Sequence, residues 1–221
     1  MSGSEEDVSV APGLRTRRST TCVFDPALAL FTAIRQVTDS ILHEHEHKVG
    51  KIVRLLAMSM GLPQKEADEL AMASSVHDIG KFAIPRTILD KQGALTPAEI
   101  EEVRKHAVNG AQILIRGGYD PDSVAVQIAR FHHEHFDGSG YTKGLSGADI
   151  PLAARLTTVA DVYDALRAFR PYKKQVGHDA TIRIILSGDT RTSPDHFDPD
   201  VLHALHNNHE RVREAWELAP A

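Results

Sequence analysis

Residues 77–81 of the chain read His-Asp-Ile-Gly-Lys, and residues 132–141 read His-His-Glu-His-Phe-Asp-Gly-Ser-Gly-Tyr. Each stretch begins with two adjacent side chains that can bind a metal ion, His77-Asp78 and His132-His133. Neighbouring residues on a helix point about 100° apart, so neither pair can form a single packing face. Adjacent ligands suit a site in which each residue serves a different ion, or in which one carboxylate bridges two ions. The two pairs therefore predict a dinuclear metalloenzyme.

Other potential ligands occur at spacings that four or five helices could bring into one pocket. The full candidate set is His45, His77, Asp78, His106, His132, His133 and Asp161. Imidazole combined with carboxylate favours Mn, Fe, Co, Ni or Zn over Ca. The set predicts a transition-metal site in the core of the fold.

Apolar residues and capping signals around the candidate ligands predict helices. Val49, Ile52, Val53 and Leu56 recur at helical intervals, which predicts a helix from about Ile41 to Met60. Residues 96–99 read Thr-Pro-Ala-Glu, a capping box that predicts the start of another helix. The helix before His77 is expected to close at Gly80. Without a convincing alternating strand or an internal repeat, the fold class is predicted to be all-α, a compact multi-helix bundle.

The chain is predicted to form one domain after a short leading segment. Residues 1–24 are polar and turn-rich, and they read as disordered or linker-like. Residues 25–221 form the domain, with an N-terminal helix at about 26–40 and a C-terminal helix at about 199–217. The first of these helices could pack on the domain or pair between chains, so the oligomeric state stays open.

Composition narrows the class of protein. Hydrophobic residues make up 42% of the chain and the formal net charge is −5. That charge gives no whole-surface attraction for nucleic acid or an anionic membrane, so neither is expected as a partner. The single cysteine, Cys22, excludes an internal disulfide framework and fits a reducing compartment. Without a membrane span or a signal peptide in the sequence, the predicted location is the cytoplasm.

The two opening stretches resemble known motifs. His77-Asp78 with Lys81 resembles the signature of the HD phosphohydrolase superfamily, and residues 132–141 resemble the HHExxDGxGYP segment of its HD-GYP subfamily. Further matching pieces follow in the right order, and the resemblance covers roughly residues 41–205. These pieces lie at residues 89–96, at His106 with Gly110, and at residues 150–155, 160–166 and 170–173.

The resemblance implies a metal-dependent phosphodiesterase that hydrolyses a cyclic dinucleotide, with cyclic di-GMP preferred, to the linear dinucleotide or to GMP. It implies two divalent ions (Fe first, with Mn, Co or Ni as alternatives) held by the seven candidate ligands and sharing a bridging hydroxide. Asp78 would bridge the ions and Lys81 would act beside it in catalysis. The implied substrate-binding residues are Tyr141, Asp164, Arg170 and Lys173.

The chain departs from the family pattern at three places. Ile41 stands where many members have a glutamate that helps hold a third ion, so two ions are expected instead of three. Thr142 replaces the proline of the Gly-Tyr-Pro motif, which removes a fixed φ angle from the loop. Arg167 replaces a usual threonine, and it is expected to point to solvent, with a phosphate contact as the alternative. Among the alternating His43, His45 and His47, only His45 brings the following Lys48-Val49 into register with the family.

Two other functions remain open. The missing glutamate and proline favour a sensor that binds the dinucleotide and signals through a protein partner. The ligand set would equally serve an HD-type di-iron oxygenase. The Gly-Tyr loop with Arg170 and Lys173 argues against the oxygenase, since such an enzyme has no need to bind a phosphate.

Overall fold

The computed structural model describes residues 40–168 and 175–218, with side chains from Glu44 onward. Several predictions lie outside the described residues: the segment at 1–24, the helix at 26–40, the side chain of Ile41, and the substrate-binding roles of Arg170 and Lys173.

Helices make up the described part of the chain, connected by turns and three short 3-10 helices. The α-helices are α1 (Ser40–Ser59), α2 (Gln64–Ser74), α3 (Arg86–Leu89), α4 (Pro97–Arg116), α5 (Val124–Phe131), α6 (Leu152–Arg167), α7 (His178–Ser187) and α8 (Pro199–Glu217). No strand occurs within residues 40–168 and 175–218, which confirms the all-α prediction. None of the helices in these ranges is both long and apolar enough to cross a membrane.

The predicted apolar stripe of α1 forms the centre of the larger core. Val49, Ile52, Val53 and Leu56 are fully buried, and α1 packs against α2, α6 and α8. A second apolar cluster joins α2, α4 and α5 around residues such as Ile128. Helices α1, α2, α4, α5 and α6, which contribute to these two cores, each carry or directly precede a candidate ligand.

The start of α4 follows the predicted capping box. The hydroxyl of Thr96 accepts from the backbone N–H of Glu99, and the Glu99 carboxylate accepts from the backbone N–H of Thr96 at 2.7 Å. Pro97 occupies the first turn, where its missing N–H costs no hydrogen bond. This cap fixes the first residue of the helix that carries His106.

Gly80 has a different role from the predicted helix stop. Helix α2 already ends at Ser74, and Gly80 lies inside a 3-10 helix at Ile79–Ala83. A Cβ at Gly80 would lie 1.8 Å from the carbonyl oxygen of His106 and 2.5 Å from the backbone nitrogen of Gly110. Glycine is needed here because the 3-10 helix lies directly against α4. This close approach brings Asp78 beside His106.

Candidate metal centre

The structure brings the seven candidate ligands together from five parts of the fold. His45 lies on α1, His106 on α4 and Asp161 on α6. The pair His77-Asp78 follows α2, and the pair His132-His133 follows α5. Most of these side chains are buried, with His77 and His132 fully so. The His45 register chosen from the sequence places that side chain within the cluster.

The ligand atoms form two groups. In the first, Nε2 of His45 lies 3.2 Å from Nε2 of His77 and 3.4 Å from Oδ1 of Asp161. We call these three residues the His45 group. In the second, Nε2 of His106 lies 3.2 Å from Nε2 of His132 and 3.1 Å from Nε2 of His133. These three form the His106 group.

Asp78 lies between the two groups. Its Oδ2 is 3.4 Å from Nε2 of His77 and 3.7 Å from Nε2 of His45. Its Oδ1 is 3.3 Å from Nε2 of His106 and 3.9 Å from Nε2 of His132. One carboxylate oxygen therefore faces each histidine group, as a bridging ligand requires.

Backbone carbonyls fix the orientation of three of the imidazoles. Nδ1 of His77 donates to the carbonyl of Ser74 at 2.8 Å, and Nδ1 of His106 donates to the carbonyl of Val103 at 2.7 Å. His132 does the same to the carbonyl of Ile128 at 3.0 Å. Because a carbonyl only accepts, Nδ1 of each ring carries a proton and Nε2 is directed into the cluster.

Asp164, which the resemblance implies as a substrate-binding residue, is hydrogen-bonded to His45 in the structure. Its carboxylate is buried, and Oδ2 accepts from Nδ1 of His45 at 2.6 Å. Oδ1 accepts from the indole Nε1–H of Trp216 at 2.6 Å. Both oxygens of Asp164 thus have partners within the protein, and one of these partners is a candidate metal ligand. We therefore assign it a positioning role.

Burial and local charge favour neutral imidazoles in the His106 group. Burial, followed by the neighbouring histidines, holds the pKa of His132 well below its usual range. Burial and the charge of His106 do the same to the pKa of His133, and burial lowers the pKa of His106 itself. Neutral imidazole is the form that binds a metal ion.

The His45 group and Asp78 concentrate negative charge. Burial acts to raise the pKa of Asp78, but Lys81 and His77 outweigh it, so that this pKa is well below its usual range. The pKa of Asp161 is lowered as well, since His45 and His77 outweigh its burial. Burial acts to lower the pKa of His77, yet the charge of Asp78 raises it to about 9. These pKa values show that the centre attracts positive charge.

The donor set therefore fits divalent metal ions. Nitrogen and oxygen donors from His106, His132 and His133, and from His45, His77 and Asp78, converge closely enough for each set to bind one ion. Mixed imidazole and carboxylate ligands suit first-row transition metals.

Lys81 and Tyr141 lie beside the cluster. The ammonium group of Lys81 contacts Oδ2 of Asp78, and its side chain is 28% exposed. The ring of Tyr141 stacks on His133, with ring centroids 4.8 Å apart. Burial, with the charges of Asp78 and Asp161, raises the pKa of the Tyr141 hydroxyl, which keeps it a hydrogen-bond donor. Both side chains therefore contact members of the cluster directly.

Glu134 organises the glycine loop, a role that the sequence did not reveal. Its carboxylate is 1% exposed and accepts the backbone N–H groups of Lys143 at 2.6 Å and Leu145 at 3.0 Å. A Cβ at Gly140 would lie 2.3 Å from the backbone nitrogen of His135, so the loop folds closely over the His132-His133 turn. These contacts hold Tyr141 against His133 although Thr142 replaces the family's proline.

Arg167 also differs from its prediction. It is 8% exposed, donates to Glu217 at 2.8 Å, and lies over the ring of Trp216 with Cζ 4.5 Å from the centroid. It therefore packs against the last helix instead of pointing to solvent or toward a phosphate.

A family model described as HD domain matches residues 31–201. The chain belongs to the HD domain family. This finding confirms the family expected from residues 77–81, and the curated relatives that follow agree with the HD-GYP resemblance.

The curated relatives are longer proteins. The chain is 33% identical over 191 residues to a protein of Thermotoga maritima named cyclic di-GMP phosphodiesterase, covering 86% of this chain and 50% of that protein. It is 40% identical over 161 residues to a protein of Vibrio cholerae named 3'3'-cGAMP-specific phosphodiesterase 2, covering 73% of this chain and 30% of that one. The chain thus spans half or less of the length of these relatives.

Solved structures share the fold. An HDG"Y"P protein from Bdellovibrio bacteriovorus matches with a TM-score of 0.60 and 22% identity, over 83% of this chain and 57% of that chain. The HD domain of the L. monocytogenes phosphodiesterase PgpH, in complex with cyclic-di-AMP, matches with a TM-score of 0.57 and 16% identity, over 88% and 99%. At these identities the likeness shows an HD-type helical bundle.

Proposed function

We propose that the protein is a metal-dependent phosphodiesterase that hydrolyses a cyclic dinucleotide, with cyclic di-GMP as the preferred substrate. The observation that carries the proposal is the position of Asp78, whose two oxygens face separate histidine groups. Relatives named cyclic di-GMP and 3'3'-cGAMP phosphodiesterases support the substrate class.

The His45 group and the His106 group would each hold one divalent ion, with Asp78 shared between them. Iron is the preferred metal, with manganese, cobalt or nickel as alternatives. When bound, such a pair supplies an activated water and stabilises charge on the phosphodiester oxygens. We expect two ions instead of three because an isoleucine at position 41 has no ligand atom.

Lys81 would act on the reacting phosphate. Its ammonium group touches the carboxylate of Asp78 and remains partly exposed, so it can also reach a ligand held at the centre. A positive charge at this position stabilises the negative charge that develops on a phosphoryl oxygen in the transition state. This role makes Lys81 a catalytic residue that is separate from the metal ligands.

Tyr141 would bind the substrate through its ring and its hydroxyl. It is fixed by stacking on His133, and its backbone N–H donates to the carbonyl of His133 at 3.0 Å. Arg170 and Lys173 are proposed from the sequence alone to bind phosphate, where arginine offers a fork of donors and lysine a point charge.

The test is turnover of cyclic di-GMP and of 3'3'-cGAMP by the full chain, in anaerobic Fe²⁺ and in Mn²⁺, with the products separated by chromatography. The proposal predicts metal-dependent release of the linear dinucleotide, of GMP or of both from cyclic di-GMP, and loss of turnover on chelation. Binding of cyclic di-GMP without turnover in either metal would contradict the proposal and favour the sensor.

A further inference from the structure

Trp216 connects the last helix to the His45 group. This residue is the only tryptophan of the chain, and it is 8% exposed on α8. Its indole Nε1–H donates to Oδ1 of Asp164 at 2.6 Å, and Oδ2 of Asp164 accepts from Nδ1 of His45 at 2.6 Å. Two short hydrogen bonds therefore link α8 to a candidate metal ligand through one buried carboxylate.

The chemistry of the groups sets the direction of both bonds. An indole N–H only donates and an ionised carboxylate only accepts. Nδ1 of His45 must therefore carry the proton, which leaves the lone pair of Nε2 facing His77, Asp78 and Asp161. Asp164 thus selects the His45 tautomer that can bind a metal ion, and Trp216 provides the second hydrogen bond of that carboxylate.

The hydrogen-bond partner that orients His45 lies far along the chain, whereas those of His77 and His106 are local. Nδ1 of His77 and of His106 donate to carbonyls three residues earlier in the chain. The contact between His45 and Asp164 spans 119 residues, and the contact between Asp164 and Trp216 spans another 52. The position of His45 therefore depends on how α1, α6 and α8 pack.

Two cations hold the indole in place. The ammonium nitrogen of Lys48 lies 3.9 Å from the ring centroid, and Cζ of Arg167 lies 4.5 Å from it. Cations over an indole are attracted by its π system. Lys48 follows His45 on α1, so the helix that carries the ligand also contacts the tryptophan.

We propose that Trp216 is a positioning residue of the metal centre, which acts through Asp164 to raise the affinity of the site that contains His45. The proposal rests on the metal centre of the proposed function and does not depend on the substrate. It gives α8 a role in loading one ion of the pair.

The test is Mn²⁺ binding to the full-length metal-free protein, measured by calorimetry. The binding step that disappears in His45→Ala identifies the site of interest. Trp216→Phe keeps an aromatic ring but removes the N–H. It is expected to lower the Mn²⁺ affinity of that step about 10-fold and to leave the affinity of the other step unchanged. Asp164→Asn should weaken the same step. The double variant should bind like Asp164→Asn alone, because Trp216 acts through that carboxylate.

Val212→Ala is the matched control, since Val212 is fully buried on the same helix. It is expected to lower the melting temperature and leave both Mn²⁺ steps unchanged. An unchanged His45 step in a folded Trp216→Phe protein would overturn the proposal, as would an equal loss in Val212→Ala. If the wild-type protein bound neither Mn²⁺ nor, without oxygen, Fe²⁺, the proposed function itself would fail, and this inference with it. Two wild-type steps with no effect of Trp216→Phe would overturn this inference alone.

Discussion

One oxygen of the Asp78 carboxylate lies 3.3 Å from Nε2 of His106, and the other oxygen faces the His45 group. The two residues come from different elements, and Gly80 allows these elements to touch. The bridging position of Asp78 depends on this contact. Substitutions at Gly80, at Glu134 beneath the glycine loop and at Lys81 should therefore have different effects on stability, metal content and turnover.

Lys81→Met should separate catalysis from metal binding. The substitution keeps the length of the side chain but removes the charge that contacts Asp78. We expect two metal ions per chain and a fall in kcat of about 100-fold or more, as found when a transition-state donor is removed. Metal content and steady-state turnover on the same sample check this, with Lys105→Met on the exposed face of α4 as the control. Unchanged turnover would show that Lys81 is not catalytic.

Gly80→Ala should disrupt the centre without removing any ligand. The new Cβ would lie 1.8 Å from the His106 carbonyl, so the 3-10 helix must move away from α4. We expect a loss of about 3 kcal/mol in the free energy of unfolding and weaker metal binding. Denaturant unfolding and metal analysis measure both. Gly177→Ala is the control, because a Cβ there meets nothing within 4 Å. Equal stability and equal metal content in Gly80→Ala and Gly177→Ala would contradict the close contact between the 3-10 helix and α4.

Glu134→Gln should loosen the glycine loop. The amide has one acceptor oxygen for the two backbone N–H groups of Lys143 and Leu145, so one buried donor loses its partner. An unpartnered buried donor costs about 1 to 3 kcal/mol. We expect a lower melting temperature and a higher KM, since Tyr141 is less well held, while metal content stays at the wild-type value. The exposed Glu69→Gln, on α2, serves as the control. A loss of metal in Glu134→Gln would instead indicate that Glu134 is a ligand.

Glu99 should contribute a pH-dependent share of stability. Its hydrogen bonds to Lys91 and Thr96 lower its pKa to about 2 from a usual value of 4.5. A lowered pKa means that the contribution is present above about pH 4.5 and is lost as the pH falls toward 2. The wild type should therefore have a higher melting temperature than Glu99→Gln at pH 7, and the difference between the two melting temperatures should be smaller at pH 4. A melting-temperature difference that is larger at pH 4 than at pH 7 would contradict a lowered pKa for Glu99.

The sequence predicted which side chains cluster better than it predicted which residues orient them. His77-Asp78 and His132-His133 were identifiable because ligand chemistry and spacing are local features of the chain. The stripe of α1 and the Thr96 cap were identifiable for the same reason, since each is set by residues within a few turns of one another.

Long-range packing explains what the sequence did not show. The resemblance implied a substrate contact for Asp164 but gave no indication of its hydrogen bonds to His45 and Trp216, which are 119 and 52 residues away in the chain. Arg167 is buried because the same tryptophan provides a surface for its guanidinium group. Gly80 read as a helix stop because its contact with α4 is between elements. In each case the deciding partner lies far along the chain.

Metal content and turnover, measured on one sample, show whether the carboxylate of Asp78 is shared between two ions. The wild-type protein, loaded with Fe²⁺ or Mn²⁺ without oxygen, should contain two ions per chain and open cyclic di-GMP. Asp78→Asn should retain fewer than two ions and lose turnover, while Asp90→Asn, at an exposed position, should match the wild type. Two ions retained in Asp78→Asn with full turnover would contradict the bridging role of Asp78, and three ions in the wild type would contradict a two-ion centre.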